Sequence, residues 1–376
     1  MNRGILALSL LLAGCASQGT GILDFNRVED VSARLRAERK PAVVWGQPEG
    51  QPSLTLLHFS DLHGDAENLG RIVEFRSALR EYIDDAIHTG DAVACYWDDI
   101  NPWNTVPGAE DILNIVGNHD CWKGHLVWAQ SSWPYDATQE EAYELILQGA
   151  DAGKPFVSGW DVIQPGGVED PQSPCYKACY YYKDYPSSGL RLVALDCMHY
   201  DAAQDAWYAA VLQDALQSGL QVIGVQHYPP QSGLDKIPSG FTELDYDINP
   251  TPQPEEGVQM EAMPESCFER TDEFIGKGGI FVCWLAGHMH SDMLGHVTGH
   301  PGQLFIAADK AGEGDAYMQE DRTRGTRFQD AFNLVTVNPS RGVLFIDRIG
   351  CDRDQYMRSK KLFCYNYLTG SIVTDK

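Results

Sequence analysis

Residues 54–65 read "LTLLHFSDLHGD": an apolar run stops at Ser60 and is followed at once by Asp61, His63 and Asp65. Apolar runs of four to eight residues suit strands covered on both faces, and a polar cluster at the end of such a run sits where the strand turns into a loop. The pattern recurs. "AIHT" (86–89) leads into Gly90-Asp91, "ILNIV" (112–116) into Gly117-Asn118-His119-Asp120, and "LRLVAL" (190–195) into Asp196. "QVIGV" (221–225) leads into Gln226-His227, and "IFVCWLA" (280–286) into Gly287-His288-Met289-His290. Helix-like segments lie between the runs: residues 65–85 with Asp65 placed as a cap, residues 138–150 opening on a Thr138-x-x-Glu141 capping box, and residues 203–219 closed by Gly219. Alternating strands and helices predict a layered α/β fold. After His300 the pattern changes to strands without long helices, "QLFIAAD", "AFNLVTVN" and "GVLFIDRIG". Residues 301–376 are expected to complete a second sheet of one domain spanning 53–376.

In α/β sheets, ligands gather beyond the carboxyl ends of the strands, so clusters spread over 230 residues of sequence are expected to converge in space. With His119 set aside, they supply Asp61, His63, Asp91, Asn118, His227, His288 and His290. Two carboxylates, one amide and four imidazoles, with no thiolate, exceed what one catalytic ion needs and suit two ions sharing a bridge. Residues two apart at a strand end can face the same side, which lets Asp61 with His63, and His288 with His290, each address one site. The glycines at 90, 117 and 287 allow close backbone approach or positive φ.

These clusters, in this order, resemble the calcineurin-like metallophosphoesterase superfamily, whose motifs are D-x-H, G-D, G-N-H-[DE], a later His, and G-H-x-H. The resemblance covers about residues 54–310. It implies a four-layer αββα sandwich of two mixed β-sheets flanked by helices. It further implies that Asp61, His63 and His290 hold one divalent ion, that Asn118, His227 and His288 hold the other, and that Asp91 bridges. The ions expected are Mn, Fe, Zn or Mg, and the reaction is hydrolysis of a small phosphate ester by a hydroxide shared between them. His119 is then left over as the general acid for the leaving oxygen, with Asp120 as its candidate support. The second motif lacks the carboxylate and arginine of serine/threonine protein phosphatases. Ala94 stands where purple acid phosphatases place a tyrosine ligand, and the residues after 310 are too few for the extra domain of 5′-nucleotidases. Few cations lie near the motifs, Lys123 and Lys310 excepted, which favours a phosphodiester over a phosphomonoester substrate. The alternative class is a surface lipoprotein that binds metal without turnover.

The chain opens "MNRGILALSLLLAGCASQGTG", an export signal over residues 1–14 whose Leu12-Ala13-Gly14-Cys15 order resembles a bacterial lipobox. Acylated Cys15 would tether the protein to a membrane, on the periplasmic or cell-surface side, through an arm and linker at 15–52. Cleavage would leave 27 basic against 53 acidic residues, a net −26 that argues against a nucleic-acid partner.

Nine further cysteines leave at least one thiol unpaired; Cys175 with Cys179, Cys351 with Cys364, and Cys95 with Cys121 are the candidate disulfides. Two stretches, 95–110 and 229–269, resist assignment and are read as walls of a substrate cleft. Trp103 and Trp122 are placed either against a leaving group or in a loop core, as are Tyr96 and Trp97. Arg322, Arg324 and Arg327 form a basic island that is either a solvated loop or a distal phosphate contact. His58 and His88 are read as buried groups satisfied by their neighbours, and His125 and His199 as cleft or surface residues.

Overall fold

The computed structural model describes residues 52–95, 101–123, 137–147, 161–235, 237, 262–290, 292–312, 329–350 and 362–373. The apolar runs are strands: β1 (Leu54–Phe59), β2 (Asp85–His88), β3 (Leu113–Asn114), β4 (Tyr181–Tyr185), β5 (Leu190–Ala194), β6 (Gln221–Val225), β7 (Leu234–Asp235) and β8 (Phe281–Ala286). They continue with β9 (Met293–Val297), β10 (His300–Ala307), β11 (Ala331–Asn338), β12 (Val343–Gly350), β13 (Leu362–Asn366) and β14 (Ser371–Ile372). Two seven-stranded mixed sheets result, in the orders β14-β13-β12-β11-β1-β2-β3 and β4-β5-β6-β8-β10-β9-β7. Within them β1, β2 and β3 run parallel, as do β5, β6, β8 and β10. Every strand that ends in a polar cluster belongs to one of these parallel sets.

Three long helices cover the sheets. Helix α1 (Ala66–Ala78) starts where Asp65 Oδ1 accepts the Asn68 amide at 2.9 Å, and it packs Phe75 edge-on against Phe332 of β11 with ring centroids 5.0 Å apart. Helices α2 (Ala202–Ser218) and α3 (Glu265–Gly276) cover the other sheet. There the buried indole of Trp284 on β8 meets Tyr208 of α2 and Phe268 of α3. Gly224 makes room for that indole, because a Cβ at this position would stand 2.2 Å from the ring. Between the sheets lies a layer that includes Leu56, Leu192, Ile223, Leu285 and Ile306. The architecture is therefore the four-layer αββα sandwich expected from the sequence.

The tail departs from expectation. Of the strands in the tail only β10 joins the second sheet, while β11 to β14 return to the first, with β11 antiparallel to β1 (Leu57 opposite Leu334). The parallel partner β2 occupies one edge of β1, and the other edge must be paired by a strand arriving later.

Two further readings are corrected. Residues 265–269 belong to α3, which follows Pro264 and buries Cys267, Phe268, Thr271 and Phe274 at helical spacing. Residues 102–104 form a 3₁₀ turn, and Trp103 lies against Phe59 and His88 in the core rather than along a cleft. Neither the Cys175–Cys179 nor the Cys95–Cys121 pairing forms among the described cysteines, and Cys121, Cys175 and Cys179 are thiols. Cys179 directs its sulfur at the carbonyls of Gln139 and Lys177, and Cys175 instead accepts a hydrogen bond from Tyr180. The signal sequence, Cys15, Tyr96, Trp97, His125, the three clustered arginines and Cys351 lie outside the described residues.

His199, read as a cleft or surface residue, is a clamp. Its Nδ1 lies 2.8 Å from Asp196 Oδ2 and its Nε2 2.9 Å from Ala137 O, so both ring nitrogens donate and the ring is cationic. Burial opposes the charge, but Asp196 and the Ala137 carbonyl outweigh it and lift the pKa to about 9. Because this folded-state value exceeds the ordinary 6.5, the clamp stabilises fully below pH 6.5 and its contribution is lost as pH rises towards 9. We expect the wild type to lose more thermal stability than His199→Gln between pH 6.5 and 9, which melting curves across that window will measure.

Candidate metal centre

Each cluster emerges from the carboxyl end of its strand with a constrained backbone. Asp61, His63, Asp91, His288 and His290 all adopt positive φ, between 46° and 71°. Left-handed conformations are uncommon for residues with a Cβ, cost on the order of 1 kcal/mol each, and concentrate at functional sites. The neighbouring glycines make the crowding possible. A Cβ on Gly117 would lie 2.2 Å from Asp91 Oδ1, one on Gly287 1.7 Å from Ser60 Oγ, and one on Gly90 2.4 Å from His227 Nδ1.

The seven residues named from the sequence converge into two groups. Ligand atoms of Asp61, His63, Asp91 and His290 lie within 4.8 Å of one another, and so do those of Asp91, His227 and His288. Asn118 completes the second group, its Oδ1 standing 2.9 Å from His227 Nε2 and 3.0 Å from His288 Nδ1. Asp91 belongs to both. Its Oδ1 accepts the His119 amide at 2.8 Å, while Oδ2 is 3.5 Å from His63 Nε2 and 3.3 Å from His227 Nε2. His227 donates Nδ1–H to Thr89 O at 2.7 Å, which leaves Nε2 as the ring atom that faces Asn118 and Asp91.

The donor chemistry fits cations. Asp61 Oδ1, Asp91 Oδ2 and His63 Nε2 are buried without a hydrogen-bond partner, a costly state for a polar atom and an expected one for an atom meant to ligate. Burial alone would raise the carboxyls of Asp61 and Asp91. The surrounding imidazoles instead hold both well below the usual range: His290 and His63 act chiefly on Asp61, and His227 and His119 on Asp91. His288 stays neutral, lowered to about 3 by burial and by the charge of His227, as a coordinating imidazole requires.

His119 sits beside the first group without joining it. Its ring centroid is 4.3 Å from that of His63, Trp122 meets it edge-on, and Nδ1 donates to Ala94 O at 2.8 Å, so Nε2 is the atom left to face a ligand. Burial lowers its pKa against the pull of Asp91. Asp120, expected to support this ring, does something else. Oδ2 accepts the amides of Asp91 at 3.0 Å and Gly117 at 2.8 Å, and Oδ1 accepts that of Val93 at 3.1 Å. Burial and the nearby Asp91 carboxylate raise its pKa to about 7 in spite of those donors. The loops carrying Asp91 and Asn118 are therefore tied by a carboxylate and not by the candidate Cys95–Cys121 disulfide.

Sequence reasoning also missed Tyr228, whose ring packs against both His227 and His288. His58 and His88 lie beneath the site as buried neutral rings, lowered chiefly by desolvation to about 3 and about 4. A cavity of about 400 Å³ at the opposite ends of the strands, lined by Ile275, Phe281, Leu304, Tyr365 and Leu368, contains none of the seven residues.

No family model and no curated protein matches the chain. Solved structures do resemble it. A dimetal phosphatase from Danio rerio is 12% identical, with 81% of this chain and 99% of that one covered and a TM-score of 0.46. A predicted phosphoesterase from Streptococcus pneumoniae is 11% identical, with 81% and 93% covered and a TM-score of 0.30. A metallophosphoesterase from Sphaerobacter thermophilus is 11% identical, also with 81% and 93% covered, at a TM-score of 0.27.

Removing the carboxylate in Asp120→Ala deletes three backbone ties, each worth about 1.5–3 kcal/mol when the acceptor is charged. We expect a lower melting temperature together with loss of metal uptake, read by calorimetry and elemental analysis of the folded variant.

Proposed function

We propose that the chain is a metal-dependent phosphoesterase of the calcineurin-like kind. The observation that carries this reading is the pair of ligand groups sharing Asp91. Asp61, His63 and His290 would hold one divalent ion and Asn118, His227 and His288 the other, with Asp91 between them. Two such ions supply an activated water near neutral pH and charge neutralisation for phosphoryl oxygens.

The chain's own residues do the rest. The Thr89 carbonyl keeps His227 in the tautomer that presents Nε2. The His119 amide occupies one oxygen of Asp91 and aims the other between the two groups. With Nδ1–H committed to Ala94, His119 in its imidazolium form would carry its transferable proton at Nε2, give it to the departing oxygen and be left as the neutral ring.

The substrate class we favour is a phosphodiester. A monoester brings a second negative charge that cationic side chains commonly meet, and Lys123, four residues after His119, is held 2.6 Å from Glu141. The exported, Cys15-anchored form belongs to the same proposal, and Cys15→Ser should release the protein from the membrane fraction.

Metal-stripped protein should be inactive, and activity should return on adding manganese, zinc, iron or magnesium singly. Bis-nitrophenyl phosphate is expected to turn over faster than nitrophenyl phosphate; the reverse preference would replace the diesterase with a monoesterase. Asp91→Asn should abolish hydrolysis of every ester. His119→Ala should cost about 10²- to 10⁴-fold with a poor alkoxide leaving group and far less with an aryl ester. Equal losses for the two esters would remove the acid role.

A further inference from the structure

Strand β12 carries none of the motifs, yet its Arg348 is fully buried. Register shows where the side chain goes. His58 of β1 stands opposite Asn333 of β11, and Asn333 opposite Arg348 of β12. Directly opposed residues project from the same face of a sheet. That face looks at the second sheet, because His58 Nε2 lies 3.1 Å from Ala286 O on β8. Arg348 thus reaches between the sheets from the row that sits three residues before Asp61.

There its Nη2 lies 2.7 Å from Asp292 Oδ2 and 3.6 Å from Asp309 Oδ2, with side-chain exposures of 0%, 0% and 2% for the three residues. Nη1 donates to Asn333 Oδ1 at 3.4 Å. Asp292 comes two residues after His290, and its Oδ1 accepts the Asp309 amide at 3.1 Å. Asp309 in turn precedes Lys310 and Ala311, whose backbone pairs with Ser60, the neighbour of Asp61. One guanidinium therefore ties the segment after His290 to the segment flanking Asp61, and both to the opposite sheet.

Burying an arginine with two carboxylates is a poor way to gain stability, since an apolar cluster of similar volume generally does as well or better. Resting on the metal-centre reading above, we propose that Arg348 is a positioning residue for that centre. Through Asp292 it holds the loop on which His288 and His290 keep their left-handed backbone, and without it those imidazoles leave the coordinating arrangement.

The test uses metal-free full-length protein and Mn²⁺ as the probe, with binding followed by calorimetry well below the melting temperature of each variant. Arg348→Met should bind Mn²⁺ about 10- to 100-fold more weakly, the range typical for residues that orient ligands from behind, and Arg348→Lys should recover part of the loss. Arg191→Met serves as the control. It removes another buried arginine, paired with Asp184 and Asp214 at the start of β5, away from the strand ends that carry the site. This control should lower the melting temperature and leave Mn²⁺ affinity unchanged. Wild-type affinity in Arg348→Met, or an equal loss in Arg191→Met, overturns the positioning role. If Arg348→Met does not fold, Asp292→Asn carries the same expectation and the same refutation. A wild type that takes up no Mn²⁺ overturns the metal-centre reading, and the positioning role with it.

Discussion

Asp91 is a carboxylate removed from water, with one oxygen engaged by the His119 amide and the other facing imidazoles of two different ligand groups. A buried anion of this kind is tolerated only if positive charge or hydrogen-bond donors surround it. Much of the local structure can be traced to that requirement. Gly117 leaves space for the carboxylate, and Asp120 fixes the Asp91 amide from the other side. Asp120 is itself buried beside that anion, and burial first and the Asp91 charge second push its own carboxyl up to about 7. The left-handed backbone at Asp61, His63, Asp91, His288 and His290 is a further cost that the sheets on either side must offset.

That offset comes from ordinary packing. Parallel strands of both sheets end side by side, and their apolar bodies interlock in the inter-sheet layer. The clusters at their tips therefore inherit rigidity from elements that take no part in coordination. The polar row of His58, Asn333 and Arg348 brings one charge, that of Arg348, into this core close to the site.

The alternation of apolar runs with polar clusters made the layered fold legible, and the glycines at 90, 117 and 287 marked where chains approach closely. The Thr138 capping box and the left-handed Gly219 stop stand where local chemistry predicts them. Other features were illegible for physical reasons. Helix α3 begins among prolines that read as loop, and its buried positions include Cys267 and Thr271, which dilute the apolar periodicity. The return of β11 to β1 follows from a free sheet edge, a property of the assembled fold and not of any short window. The Asp120 amide ties could not be told from support of the His119 ring, because adjacency in sequence does not say which way a side chain turns. The Cys175–Cys179 spacing misled as well, because a thiol buried in the core, as that of Cys179 is, needs no covalent partner.

The pairing of β1 with β11 has a consequence for how the molecule comes into being. Thr55 and Thr336 touch across 281 positions of chain, so the strand that delivers Asp61 and His63 stays half-paired until β11 is available. Contacts of such long sequence separation close late and make folding slow. By pairing β1 with β11, the topology couples the arrangement of these clusters to strands far along the chain.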